Sequence, residues 1–347
     1  MAVVGAGPAG CAAAIILAGH GASVVVFEAT AYDGPRIGET LPPEVRLPLD
    51  RLGAWDRFEA AGHLASPGIL AAWGQAEPYA NDFILNPHGP GWRVDRNRFD
   101  AMLADRAAEA GAVVQTGTAV RACLRTGDGR WELAATRGGA PSRISARFLV
   151  DATGRASAFG RGLGARRVVH DRMVALVGFV AQAAGTTEDR RALIEATETG
   201  WWYSGLLPGG GMVLAFHTDA GPGLRTRWAG ALALADRTAA RTGGGGLVGA
   251  VRVVPAGSHR ADPVAGDGWL AAGDAAAAHD PVCGRGVHWA LESGIAGAEA
   301  VVAGAGAAAY AGEMGARFDR YLAVRSHYYR AEARWPDAPF WQRRRGP

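Results

Sequence analysis

The sequence predicts an α/β fold built on a Rossmann-like unit, with an antiparallel-sheet region inserted into it. Three observations carry this. Gly5-x-Gly7-x-x-Gly10 follows the apolar strand Met1 to Val4 and opens the helical stretch Cys11 to Ala18. Ser23 to Glu28 then reads as a β-branched strand ending in an acid, so strand, turn, helix and strand fit within about thirty residues. Beyond this unit the middle of the chain alternates short β-rich runs with Gly/Pro turns, and the end returns to a strand followed by a helix.

Taken in order, Gly19, His20 and Gly21 end the first helix. Phe99 to Gly111 has apolar residues at Phe99, Met102, Leu103 and Ala107, the spacing of an amphipathic helix, and leads into the strand Ala112 to Gln115. Val120 to Leu124 and Trp131 to Thr136 flank the turn Thr126-Gly-Asp-Gly129, a hairpin signal, and Phe148 to Val150 is a buried strand ending in Asp151-Ala-Thr-Gly-Arg155. Val174 to Ala181, Gly200 to Leu207 and Gly211 to His217 read as strands, Thr226 to Arg241 as one helix, and Gly243 to Gly246 as a loop. Trp269 to Ala272 is an apolar strand that reaches Gly273-Asp274 and turns through a Pro/Gly segment into a helix from about Val287. Tyr310 to Trp335 should be helical, and Arg343 to Arg345 a solvated tail. The domain reading is a discontinuous nucleotide-binding domain (1–66, 95–167 and 257–308), a substrate-binding sheet domain (67–94 and 168–256) and a C-terminal helical segment (309–347).

Composition narrows the function classes. The 347 residues are 49% apolar and 20% charged, with a net charge of +3, which is ordinary globular composition and demands neither a nucleic-acid groove nor a membrane surface. All 36 cations are arginine. Without lysine there is no Schiff base, phosphate-loop lysine or lysine general base. Cys11, Cys123 and Cys283 lie far apart and no His pair sits at ligand spacing, so a disulfide framework or a metal site is not expected, and a reducing cytoplasm is. The segment Ile295 to Ala309 carries Glu299 and is too short to span a bilayer.

The candidate site follows from the strand ends. Gly5 permits the tight turn, Gly7 lets backbone approach a pyrophosphate, and Gly10 lets helix pack on strand; Glu28 is placed to accept hydrogen bonds from ribose hydroxyls. Asp274 at the end of a buried strand can bind a polyol hydroxyl, although a helix-capping role is the bland alternative. The helix beyond Gly286 presents its N–H groups to a negative charge. On one strand, Trp201 and Tyr203 share a face and Trp202 takes the other; the pair forms either an aromatic wall for a planar substrate or part of the core. His217, His279 and His288 are candidate acid/base groups, with a structural role as the alternative, and Cys283 is read as a thiol lining the pocket.

These motifs together resemble a known family. Gly5-Ala-Gly-Pro-Ala-Gly10 with Glu28, Arg36-Ile-Gly-Glu-Thr40, Arg96-Asn-Arg-Phe99, Asp151-Ala-Thr-Gly-Arg155, and Gly273-Asp274 through Asp280-Pro281 to Gly286 occur in the order seen in FAD-dependent monooxygenases and flavin-dependent halogenases. The resemblance implies a fold of the p-hydroxybenzoate hydroxylase type and oxygen transfer from a flavin C4a-hydroperoxide to an aromatic ring, in an indole, tryptophan or phenol. It implies FAD held by Gly5, Gly7, Gly10, Glu28, Arg36, Arg96, Asp274 and Gly286, with Arg36 to Thr40 and Pro281 to Gly286 near the flavin ring. The catalytic loop would be Pro281, Cys283, Gly284, Arg285 and Gly286 with His279 beside it, and the substrate would meet Trp201, Tyr203 and His217. Reducing equivalents would come from NAD(P)H or from a partner flavin reductase.

The departures separate the subfamilies. The halogenases resembled here use a lysine after the Gly38-Glu39 region and a late-loop glutamate; this chain has no lysine, and Cys283 stands at the glutamate position. Their Trp-x-Trp-x-Ile-Pro signature is represented by Gly200-Trp-Trp-Tyr-Ser-Gly-Leu-Leu-Pro208, and the Asp-Gly pair of many single-component hydroxylases appears as Thr153-Gly154. Arg36 to Pro43, Gly91 to Arg96 and Trp201 to Ala220 look most like flavoproteins that oxygenate a peptide-borne tryptophan in cysteine tryptophylquinone maturation. A halogenase, a flavin-dependent dehydrogenase or reductase, and a non-catalytic flavin-binding partner are the alternatives.

Overall fold

The computed structural model describes residues 1–34, 36–160 and 162–346. Its first layer is a six-stranded sheet in the order 265–266, 269–271, 149–151, 2–4, 25–27, 113–115, parallel except for the 265–266 edge strand. Val3 lies opposite both Val26 and Val150, so the central strand Ala2–Val4 is covered on both sides, as its uninterrupted apolar sequence requires.

The helices Pro8–Gly19 and Gly286–Val302 pack together on this sheet, and their small residues are why they can. A Cβ at Gly294 would stand 2.2 Å from the Ala9 carbonyl oxygen, and one at Gly10 would stand 1.8 Å from that of Gly5. Pro8–Gly19 is apolar around most of its circumference, which suits a helix enclosed on nearly every side. The helix Arg96–Glu109 begins a turn earlier than its apolar spacing indicates, because the Asp95 side chain accepts the N–H groups of Asn97 and Arg98 and caps it.

The second layer is a seven-stranded sheet in the order 247–255, 173–180, 212–219, 200–206, 192–197, 68–72, 79–82, antiparallel except where 192–197 meets 68–72. Alternation along Gly200–Leu206 decides which aromatics go where: Trp202 packs with Phe216 and Trp228 on one face, and Trp201 packs with Trp73, Tyr329 and Trp341 on the other. A small sheet of Thr40–Leu41, Gly91–Arg93 and Leu64–Ser66 lies between these layers in the chain path.

Three expectations are corrected. The single helix over Thr226 to Arg241 is two, Arg227–Ala233 and Asp236–Arg241, because the buried Glu195 carboxylate accepts the N–H groups of Arg237 and Thr238 and starts a new helix there. The C-terminal helix Gly306–Ala331 stops before Trp335 and is followed by Pro339–Arg345. Arg343 to Arg345 is not a solvated tail: the Arg344 side chain is fully buried, lies over Phe340 and pairs with Asp171 and Asp219.

Candidate active site

One cavity of about 890 Å³ runs from the Gly5–Gly10 turn to the inner face of the seven-stranded sheet. At its first end Gly5 has φ +101°, and a Cβ there would press on Ala152; a Cβ at Gly7 would meet nothing within 4 Å. Gly5 thus makes the turn, and Gly7 leaves backbone open toward the cavity. No side chain caps the helix Pro8–Gly19, so its first N–H groups face that opening.

Glu28 ends its strand beside this turn, fixed by the N–H groups of Ala6 and Thr30 and by Arg36 at 2.8 Å. Arg36 also binds Asp100 at 2.7 Å, which places it next to Glu28 on the cavity wall. The segment then runs on: Arg96 donates to the carbonyls of Ile37 and Gly38 while pairing with Asp100, and a Cβ on Gly38 would collide with the Arg96 guanidinium at 2.8 Å. Arg96 therefore fixes the path of residues 36–40 along the cavity.

Asp274 lies at the far strand end, 3.2 Å from Arg155 Nε. Burial raises its pKa, and Arg155 and then Arg96 oppose that rise. Arg155 also donates to the carbonyls of Gly257 and His279, so one guanidinium ties the 151–155 turn to the late loop. Arg155 is a site residue that the sequence motifs leave without a role; its place just after a buried strand ending in Asp151 is the signal that points to it. Glu39, buried on the cavity wall, was missed in the same way.

The late loop is a one-turn helix, Pro281–Cys283, capped by Asp280, followed by Gly284 at φ +62° and the helix Gly286–Val302, which has no side-chain cap. Cβ atoms at Gly284 and Gly286 would meet nothing within 4 Å, so this backbone too is open. Arg285 is half-exposed and pairs with Glu44 at 3.3 Å. Burial pushes the Cys283 thiol up to about 12, so it stays protonated, and all three cysteines are free. Among the described residues no group of side chains could hold a metal, and no helix is long and apolar enough to cross a membrane.

Trp201, Tyr203 and His217 line the sheet end of the cavity. The Trp201 and His217 rings stack at 3.6 Å, and the Tyr203 hydroxyl lies 2.6 Å from Thr40 Oγ1. His279 stacks on Tyr321 at 4.0 Å with Trp289 alongside, and His288 is buried with Glu292 at 3.7 Å. Burial pushes both His217 and His279 down to about 3, so both are neutral near neutral pH. The unfolded chain takes up these protons below about pH 6.5, and the folded chain does not until near pH 3, so this contribution to stability is lost as pH falls through that window. Thermal melts should fall between about pH 6.5 and 5.5, and His279→Phe should flatten that slope; an unchanged slope would mean that the ring is protonated in the folded state.

The comparisons with known proteins agree with this geometry. The chain is 27% identical over 99% of its length to a protein named as an FAD-dependent oxidoreductase, LodB of Marinomonas mediterranea, of which 95% is covered. Among solved structures it is similar to CmlS, a flavin-dependent halogenase, with TM-score 0.88 and 25% identity over all of this chain and 67% of that one. The peptidyl tryptophan dihydroxylase QhpG shares the fold, with TM-score 0.81 and 24% identity over 99% of this chain and 78% of that one. The model of a family described as FAD binding domain matches residues 1–302, and the chain belongs to that family of flavin-dependent oxidoreductases.

Proposed function

We propose that the protein is an FAD-dependent monooxygenase that oxygenates an electron-rich aromatic ring, indole or phenol, free or carried on a peptide. The observation that carries this reading is the single cavity joining two glycine-lined, uncapped helix N-termini to a wall of Trp201, Tyr203 and His217. The residues present fit the cofactor. Gly7 and the start of Pro8–Gly19 would hold the pyrophosphate, Glu28 the adenosine ribose, and Asp274, oriented by Arg155, the ribityl chain. The N-terminus of Gly286–Val302 would face the electron-accepting ring and stabilise negative charge there. When bound and reduced, FAD supplies the oxygen-activating chemistry, with electrons from NAD(P)H or a separate flavin reductase. The apolar sheet face keeps water out, and the aromatic wall orients the substrate ring.

Replacing Asp274 with Ala should weaken FAD binding by about 1.5 to 3 kcal/mol, roughly ten- to hundred-fold, because the carboxylate that would accept the ribityl hydroxyls is removed. Fluorescence titration of the apoprotein reads this, and unaltered affinity would remove Asp274 from the cofactor site.

Halogenation is the second reading, favoured by the likeness to CmlS. The chain has no lysine to relay hypohalous acid, and Cys283 stands in the late loop. Supplied with reduced FAD, oxygen, chloride or bromide, and tryptophan or phenols, the protein should yield oxygenated products and no halogenated ones. Catalytic halogenation would overturn the reading, and turnover that persists without oxygen would favour a dehydrogenase.

A further inference from the structure

Four tryptophans form a row that starts in the cavity and ends at the surface. Trp201 and Trp73 both line the sheet end of the cavity, with their rings edge-on at 6.1 Å. Trp73 meets Trp341 edge-on at 5.2 Å, and Trp341 stacks with Trp335 at 6.0 Å. Trp341 is fully enclosed, whereas Trp335 is half-buried in the connection between the last two helices, beside the exposed Pro336 and Asp337. Each ring is thus within aromatic contact range of the next, from the wall to the solvent. Trp335, Trp341 and their neighbour Tyr329 lie beyond residue 302, where the match to the FAD-binding family ends.

Packing accounts for buried rings, but two further features of this row go beyond packing. Every enclosed indole in it has an acceptor for its N–H: Trp73 donates to the Tyr328 carbonyl at 2.7 Å, Trp201 to the Tyr329 hydroxyl at 3.1 Å, and Trp341 to the Thr197 carbonyl at 3.0 Å. Nε1 of Trp55, Trp92 and Trp202, elsewhere in the molecule, has none. An indole that donates a hydrogen bond gives up an electron more readily, because the acceptor stabilises the positive charge left behind. The second feature is Tyr329, 6.0 Å from Trp73 and 5.9 Å from Trp341, whose hydroxyl donates to Asp280 Oδ2 at 2.8 Å. Burial, and then the Asp280 charge, hold this phenol protonated far above its ordinary range. Loss of an electron from Tyr329 is therefore tied to passage of its proton to Asp280. At the outer end Arg334 lies 4.4 Å from the Trp335 ring and disfavours a lasting positive charge there, so a charge that arrives is discharged to a solute and not stored.

We propose that Trp201, Trp73, Trp341 and Trp335 form an electron relay, with Tyr329 as a branch, through which a one-electron oxidant in the cavity is reduced by soluble donors at the surface. The oxidant is an excited oxidised flavin or an oxygen-derived radical, and the donor is a small reductant such as ascorbate. One electron leaves the Trp201 or Trp73 indole for the oxidant; electrons then step inward from Trp341 and Trp335, and ascorbate gives one electron to Trp335 and becomes its own radical. Where Tyr329 takes part, its O–H proton moves to Asp280 as the electron leaves and returns when the electron is restored. The oxidant is reduced by one electron, ascorbate is oxidised by one, and the cavity wall is left unchanged. The relay needs bound FAD and is independent of which substrate the protein oxygenates.

The test uses FAD-loaded protein, free of oxygen and of any aromatic substrate, excited with blue light with and without ascorbate; tryptophan radicals are followed by transient absorbance and by electron paramagnetic resonance. Wild type should form a tryptophan radical whose decay accelerates as ascorbate is added. Trp335→Phe, which leaves the enclosed rings in place, should keep the radical and lose the acceleration, and Trp341→Phe should lose it likewise. Trp202→Phe, on the other face of the same sheet, should retain it. A wild type without a light-induced tryptophan radical overturns the proposal. Equal acceleration by ascorbate in wild type and Trp335→Phe overturns it as well, since the reductant then reaches the cavity directly; should Trp341→Phe fail to fold, Trp335→Phe decides alone. Because no aromatic substrate is present, the result is separate from the test of oxygenation.

Discussion

Trp201→Ala should lower the unfolding free energy by about 3 to 5 kcal/mol, the usual cost of truncating a large buried aromatic. The ring is only 1% exposed; it stacks on His217, meets Trp73 edge-on at 6.1 Å, and donates its indole N–H to the Tyr329 hydroxyl at 3.1 Å. It belongs to a cluster that includes Trp341 and Phe340 from the last helix, so its removal leaves a cavity shared by several elements. The choice between aromatic wall and core, posed by the sequence, is therefore not exclusive: Trp201 faces the cavity with one side and is packed on the others. Trp201→Phe keeps a six-membered aromatic ring but loses the rest of the indole and its N–H, and should cost less than Ala, about 1 to 3 kcal/mol. Urea denaturation of the two variants measures both numbers, and a Trp201→Ala protein as stable as wild type would show that the aromatic cluster does not depend on this ring.

What the sequence disclosed is whatever is encoded within about thirty consecutive residues. The opening unit is local: Gly5, Gly7 and Gly10 answer to a turn and a helix contact within the same segment, and Glu28 is the end of the next strand. Alternation along Trp201, Trp202 and Tyr203 is equally local, and the two faces are occupied as that alternation requires. The rest depends on partners distant in the chain. Ala192–Thr197 has a polar residue, Glu195, in its middle, which reads against a buried strand until the helix start at Arg237 that it caps is known. Arg344 looks like part of a basic tail because Asp171 and Asp219, which enclose it, lie more than a hundred residues earlier. The partner of Arg36, Asp100, likewise lies 64 residues further along the chain, in the helix Arg96–Glu109, where no local pattern reveals it.

Asp280→Ala should destabilise the fold by about 3 to 5 kcal/mol, the range for breaking a buried ion pair from one side, and should weaken FAD binding as well. The carboxylate is 1% exposed and serves three groups at once: Arg325 Nε at 3.0 Å, the Tyr329 hydroxyl at 2.8 Å, and the Val282 N–H, which it caps. Its own N–H donates to Tyr321. Through Arg325 the network continues to Asp171, then to Arg344 and Asp219, so the loop that borders the cavity is anchored to two C-terminal helices by alternating charges. Removing the carboxylate frees the Pro281–Cys283 turn and leaves Tyr329, which also receives the Trp201 N–H, without its acceptor. Asp280→Asn preserves an oxygen for Val282 while losing the charge opposite Arg325, so it should fall between Ala and wild type. In a double-mutant cycle with Arg325→Met, the pair should lose at least about 1.5 kcal/mol less than the sum of the single losses, as residues sharing one buried network do. Strict additivity would mean that Asp280 and Arg325 are not coupled, and that the loop depends on the Tyr321 and Tyr329 contacts and not on this ion pair.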